Sequence, residues 1–93
     1  MKIYYILFYK TVDQFVEKRA EFREIHLNHA QAAFDRGELI KGGALSNPAN
    51  EAVLIFKGES AEVAENFAKN DPYVQNGLIT EWTVREWKVA IGG

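Results

Sequence analysis

Arg19, Arg23 and His26 stand at spacings of four and three in "RAEFREIH". A helix through them would carry all three on one side. Imidazole is the side chain whose charge changes near neutral pH, which suits it to acid/base work. Guanidinium is a fixed cation that holds carboxylates and other oxyanions. A carboxylate that could orient the imidazole stands at Asp71, inside "NDPYV". His26 with Asp71 is the minimal pair for moving a proton, with His26 as general base or acid and Asp71 orienting it. Spacing alone does not bring positions 26 and 71 together.

Each of these residues also has a plain structural reading. A histidine on a buried helix face is commonly a neutral core group with a satisfied hydrogen bond. Asp71 before Pro72 is ordinary turn chemistry. An arginine can lay its stem along apolar surface and put its head in water. Yet a buried guanidinium without a partner is very unfavourable, so Arg23 and Arg19 beside His26 call for a carboxylate, a bound anion or water. A polar patch in an apolar stripe is what a pocket between helix and sheet looks like. His29 makes a His-x-x-His spacing with His26. It lies about 60° round the helix, and no cysteine or further histidine completes a ligand set. We therefore expect no metal and read His29 as a surface residue.

The elements that must position these groups can be read from pattern. Residues 2–9 (KIYYILFY) form a strand that is apolar on both faces: Ile3, Tyr5, Leu7 and Tyr9 on one, Tyr4, Ile6 and Phe8 on the other. Thr11 and Gln14 fit a capping box, and Gly37 fits the residue after a helix end. The helix between them, from near Val12, has Val12, Phe15, Val16, Ala20, Leu27, Ala30, Ala33 and Phe34 on one face. Its length of about 24 residues, roughly 36 Å, exceeds the roughly 26 Å of the first strand. It must overhang the sheet or break. Residues 38–45 read as a strand weakened by Gly42-Gly43, 46–50 as a turn, and 52–57 as a central strand. Gly43 would let the strand bend or let a ligand approach the backbone. Ser60 caps a second helix with the stripe Val63, Ala64, Phe67 and Ala68, which Asn70-Asp71-Pro72 stops. Residues 78–89 form a last strand, with Trp82 and Trp87 on opposite faces.

The order β-α-β-β-α-β defines an α+β ferredoxin-like sandwich, an antiparallel sheet with both helices on one face. The whole chain, 1–93, reads as one domain. Because two strands are apolar on both faces, the uncovered face calls for a partner, most simply a second copy. Composition agrees with an ordinary globular protein: 47% hydrophobic, 26% charged, net charge −2 and no cysteine. The mild acidity gives no footprint for nucleic acid or an anionic membrane. The N-terminal apolar run is too short to span a bilayer and lacks a cleavage site. The lack of cysteine is compatible with a cytoplasmic protein. No cofactor motif is present.

Two stretches, "EKRAEFREIHLNHAQAAFDRGELIKGGAL" and "FAKNDPYVQNGLITEWTVREW", resemble the YciI-like (YCII-related) family. The likeness is carried by Arg23-x-x-His26-Leu27, by Gly37 with Gly43, and by Asp71-Pro72-Tyr73-Val74 followed by Gly77. It implies a ferredoxin-like fold that dimerises sheet to sheet as an α/β barrel, with a cavity holding a His–Asp pair at His26 and Asp71. The family is similar in fold to muconolactone isomerases, and one branch is associated with dehydrochlorination of a chlorinated hydroxyquinol. The resemblance therefore implies proton abstraction or elimination on a small cyclic or aromatic compound, without a cofactor. On this reading Arg23 and Arg19 hold an anionic substrate, and Tyr5, Gly43 and Tyr73 line the pocket. The protein is expected to be a homodimer, or a larger assembly of dimers, that takes a small-molecule ligand. A non-catalytic binding or sensing module, or a purely structural His–Asp pair, would use the same residues.

Overall fold

The computed structural model describes residues 3–92. The first strand, β1 (Ile3–Thr11), is followed by a one-turn helix α1 (Phe15–Lys18), a 3-10 turn (Arg19–Glu21) and helix α2 (Arg23–Asp35). Strands β2 (Leu39–Ala44) and β3 (Glu51–Gly58) come next, then helix α3 (Glu62–Lys69), the one-turn helix α4 (Pro72–Gln75) and β4 (Ile79–Trp87). The four strands form one antiparallel sheet in the order β2-β3-β1-β4. This is the expected α+β sandwich. The start of β1 expected at Lys2 lies outside the described residues.

Period-two alternation decides which side chains meet the helices. Tyr5, Leu7 and Tyr9 of β1 and Ala52, Leu54 and Phe56 of β3 are buried, together with Phe15, Ala33, Leu39, Ala64, Phe67, Ala68 and Tyr73. Pairing of Tyr9 with Trp82 and Leu7 with Val84 puts Trp82 on this same face. Trp87, opposite Tyr4, lies on the other.

The expected long helix breaks rather than overhangs. Phe22 leaves helical geometry between the 3-10 turn and α2. The break changes the phase of the stripe. Val16, Leu27 and Phe34 are about half exposed and Ala20 is exposed, whereas α2 faces the core through His26, His29, Ala30 and Ala33. The expected capping box is also not formed. Thr11 extends β1 through the bond from its N–H to the Asn50 carbonyl, and Gln14, in left-handed geometry, precedes the first turn. The expected cap at Ser60 is displaced too: the N-cap of α3 is Ala61, which offers no side-chain cap, and Ser60 one residue earlier accepts the Glu62 N–H at 3.3 Å. Gly37 has φ +79°, as the residue after a helix end requires. Among the described residues no helix is long and apolar enough to cross a membrane.

Candidate active site

Among the described residues Asp71 is the one buried charged side chain, with no exposed surface. It caps α4: its backbone is extended, its Oδ1 accepts the Tyr73 N–H at 3.0 Å, and Pro72 takes the first helical position. The same Oδ1 accepts Nδ1–H of His26 at 2.8 Å. Oδ2 accepts the Tyr9 hydroxyl at 2.7 Å. All three partners donate, which matches an ionised, acceptor-only carboxylate. The pair that spacing could not join is thus joined across 45 residues of chain.

The imidazole is fixed in its plane as well as at its nitrogen. It stacks on the Tyr73 ring with centroids 3.8 Å apart and planes 8° from parallel. Phe15 meets the Tyr73 ring edge-on at 5.4 Å, and the Arg19 guanidinium lies 5.4 Å over the Phe15 ring. With Nδ1 committed to Asp71, the basic nitrogen of His26 is Nε2, and it has no partner among the described residues.

His26 stands in the wall of a cavity of about 200 Å³. Tyr9 and Leu54 form its inner part, and Arg19, Arg23 and Leu27 line the helix side. The space exists because small residues meet there: Ala44 pairs with Ala52 on neighbouring strands, Gly42 lies next to them, and Ala30 faces them from α2. The volume is below the roughly 300–1,000 Å³ of pockets for drug-sized ligands, so it suits a molecule of about one ring. The lining contains no Asp, Glu or Lys.

Of the residues expected at the site, His26, Arg19, Arg23, Gly43 and Tyr73 line the cavity, and Asp71 stands directly behind His26. Tyr5 does not line it. It lies four residues before Tyr9 on the same strand face, about 13 Å away along β1, where it pairs with Phe56 in the core. Tyr9 takes that place, and alternation had put both on one face. Arg23 is exposed at the rim rather than buried, and Arg19 is half-buried. Neither forms an ion pair with a carboxylate of the described residues, so of the three compensations considered for them a carboxylate is not the one found. His29 is not a plain surface residue. Its Nε2–H donates to the Phe67 carbonyl at 3.0 Å and its ring stacks on Phe67 at 4.3 Å. The two histidines thus tie α2 to α4 and to α3 respectively.

Burial raises the Tyr9 hydroxyl far above the ordinary tyrosine range, and the Asp71 charge and the bond to it raise it further. The folded protein keeps this proton where the unfolded chain, titrating near pH 10, has released it. Above about pH 10 the unfolded state binds fewer protons than the native one. Stability then falls as pH rises, by up to about 1.4 kcal/mol per pH unit for this group, and below that pH its contribution is complete. Tyr9→Phe should flatten the alkaline slope, read from urea midpoints across roughly pH 9–11. Equal slopes in the two proteins would show that Tyr9 does not hold its proton in this way.

A four-stranded antiparallel sheet with helices on one face, and a His–carboxylate pair at a cavity between them, defines a class: small α+β proteins of the ferredoxin-like fold. The YCII-related domain model matches residues 3–88, and the chain belongs to that family. It is 30% identical to Protein YciI of Escherichia coli O6:H1, over 90% of this chain and 95% of that one. It is 27% identical to an uncharacterized protein of Haemophilus influenzae, over 92% and 97%. Among solved structures it resembles 5-chloro-2-hydroxyhydroquinone dehydrochlorinase (TftG) from Burkholderia phenoliruptrix, in complex with 2,5-dihydroxybenzoquinone. The TM-score is 0.77 at 20% identity, covering 92% of this chain and 94% of that one. A NIPSNAP-like domain protein from Burkholderia xenovorans gives 0.63 at 14% identity, covering 99% and 89%. At these identities the two structures speak for the fold.

Proposed function

We propose that the protein is a cofactor-independent enzyme of the lyase or isomerase type, acting on a small cyclic or aromatic acid in the cytoplasm. One observation carries this reading: a histidine in the wall of a cavity of one-ring size has one nitrogen held by a buried carboxylate, which leaves the other for a bound molecule. Such a nitrogen can take a proton from a bound molecule, and Asp71 stabilises the imidazolium that forms. Arg23 and Arg19 supply charge for an anionic substrate. The dehydrochlorinase of the same fold, whose crystal holds a quinone, supports this class of substrate. The test is turnover of a panel of small phenolic and enolisable acids by the wild-type protein and by His26→Asn. Turnover that survives His26→Asn unchanged would end the proposal. Binding without any turnover would leave a recognition module.

We propose further that the protein works as a homodimer through the sheet face that carries no helices. On that face Ile6 pairs with Ile55 and Phe8 with Val53, with Tyr4 and Trp87 at one end. These side chains are only partly covered, and Trp87 is 42% exposed. An apolar patch of this extent favours a partner. Sedimentation of the wild-type protein should give the mass of a dimer, and Ile55→Glu should shift it toward the monomer. A monomeric wild type at tens of micromolar would count against the interface.

A further inference from the structure

Tyr73 is only 3% exposed, and its hydroxyl closes no hydrogen bond of ordinary geometry among the described residues, although the Arg23 guanidinium lies near enough to interact with it. A buried hydroxyl left in this state is unfavourable, and native proteins seldom keep one without a use for it. This one belongs to a side chain that lines the cavity. Arg19 and Arg23, which line the same cavity, are close enough for their charges to oppose the rise that burial imposes on the hydroxyl; the Asp71 charge adds to that rise. Tyr73 therefore stays protonated and remains a donor. The other polar groups are committed: Tyr9, the Tyr73 N–H and Nδ1 of His26 all go to Asp71. Among the described residues the cavity lining thus groups the Tyr73 hydroxyl with the Arg19 and Arg23 guanidinia, with no acidic side chain beside them, and has in Nε2 of His26 a side-chain acceptor that Asp71 does not engage.

We infer that the Tyr73 hydroxyl and the Arg19 and Arg23 guanidinia form an oxyanion subsite, and that the ligand is a small enolisable or phenolic compound whose oxygen takes up negative charge there. The inference deepens the enzyme reading and rests on it for the proton transfer; the subsite stands apart from it. In the reaction, Nε2 of His26 takes a proton from an acidic C–H or O–H of the ligand. The electron pair of that bond moves through the conjugated system onto the oxygen held by Tyr73 and the arginines. Fixed donors at the place where charge develops are the effective form of such stabilisation. Return of the proton to a different carbon gives an isomer. Departure of an anionic leaving group from the adjacent carbon gives an elimination, and the proton then passes from His26 to solvent.

Tyr73→Phe removes one oxygen and keeps the ring that stacks on His26 and meets Phe15. The test is calorimetric titration of the wild-type protein, Tyr73→Phe and Arg23→Gln with benzoate and 4-nitrophenolate, and with neutral benzyl alcohol as the control. Each substitution should weaken both anions about tenfold or more, the size expected for a hydrogen bond to a charged group. Benzyl alcohol should change less than about twofold. The urea midpoint of Tyr73→Phe should equal or exceed that of the wild type, since the buried hydroxyl closes no hydrogen bond of ordinary geometry. Equal anion binding by Tyr73→Phe and wild type would overturn the subsite. So would a lowered midpoint, or a wild type that binds neither anion at tens of millimolar. Anion binding that depends on Tyr73, without turnover of any compound, would sink the enzyme reading and keep the subsite.

Discussion

Asp71→Ala should lose about 3–5 kcal/mol of stability in urea unfolding, measured at one protein concentration. The carboxylate holds three donors at once, and the substitution strands the Tyr9 hydroxyl and the Tyr73 N–H in the core. Each orphaned donor costs about 1–3 kcal/mol, and the lost cap of α4 adds about 1. Against a total of about 5–15 kcal/mol for a domain, this variant should lie near the edge of folding. A loss below about 1 kcal/mol would mean that these donors find water or each other, and that Asp71 does not organise the site. Large destabilisation by itself does not speak against catalysis, because one carboxylate caps a helix and orients a base.

His26→Asn separates the two duties. The asparagine amide nitrogen stands about where Nδ1 stood, so it can still donate to Asp71. It has no basic nitrogen to offer the cavity. Stability should stay within about 1 kcal/mol of wild type, while kcat for any substrate found should fall by about 10²–10⁴, the usual contribution of a positioned general base. KM should move little, because the guanidinia and the Tyr73 hydroxyl remain. A fall in stability of several kcal/mol with kcat unchanged would assign His26 to the framework alone.

The sheet was legible because β1 and β3 are dense in β-branched and aromatic residues, and alternation then assigns each side chain to a face. The pairing of His26 with Asp71 was not legible from spacing, since it depends on how α2 crosses the sheet; the family resemblance supplied it. Helix α4 was passed over as a turn, although Asp71 followed by Pro72 is the sequence of an N-cap and first helical residue. The stripe on the first helix failed because no proline or glycine marks the break at Phe22. The burial of His29 depends on the position of Phe67, a tertiary fact. Tyr9 was read as core, and it is core; what the pattern could not convey is that its hydroxyl ends on Asp71.

The bonds that converge on Asp71 also bear on how the chain folds. Tyr9 is 62 residues away in sequence and His26 is 45 away. Closing loops of that length is entropically slow to be repaid, and contacts at such separation lower folding rates. A partly folded chain, with β1 still apart from the segment that carries α3 and α4, has the residues of the site and none of its geometry. Nascent or unfolded copies are therefore unable to bind or transform the ligand, and ligand affinity becomes a direct report of complete folding.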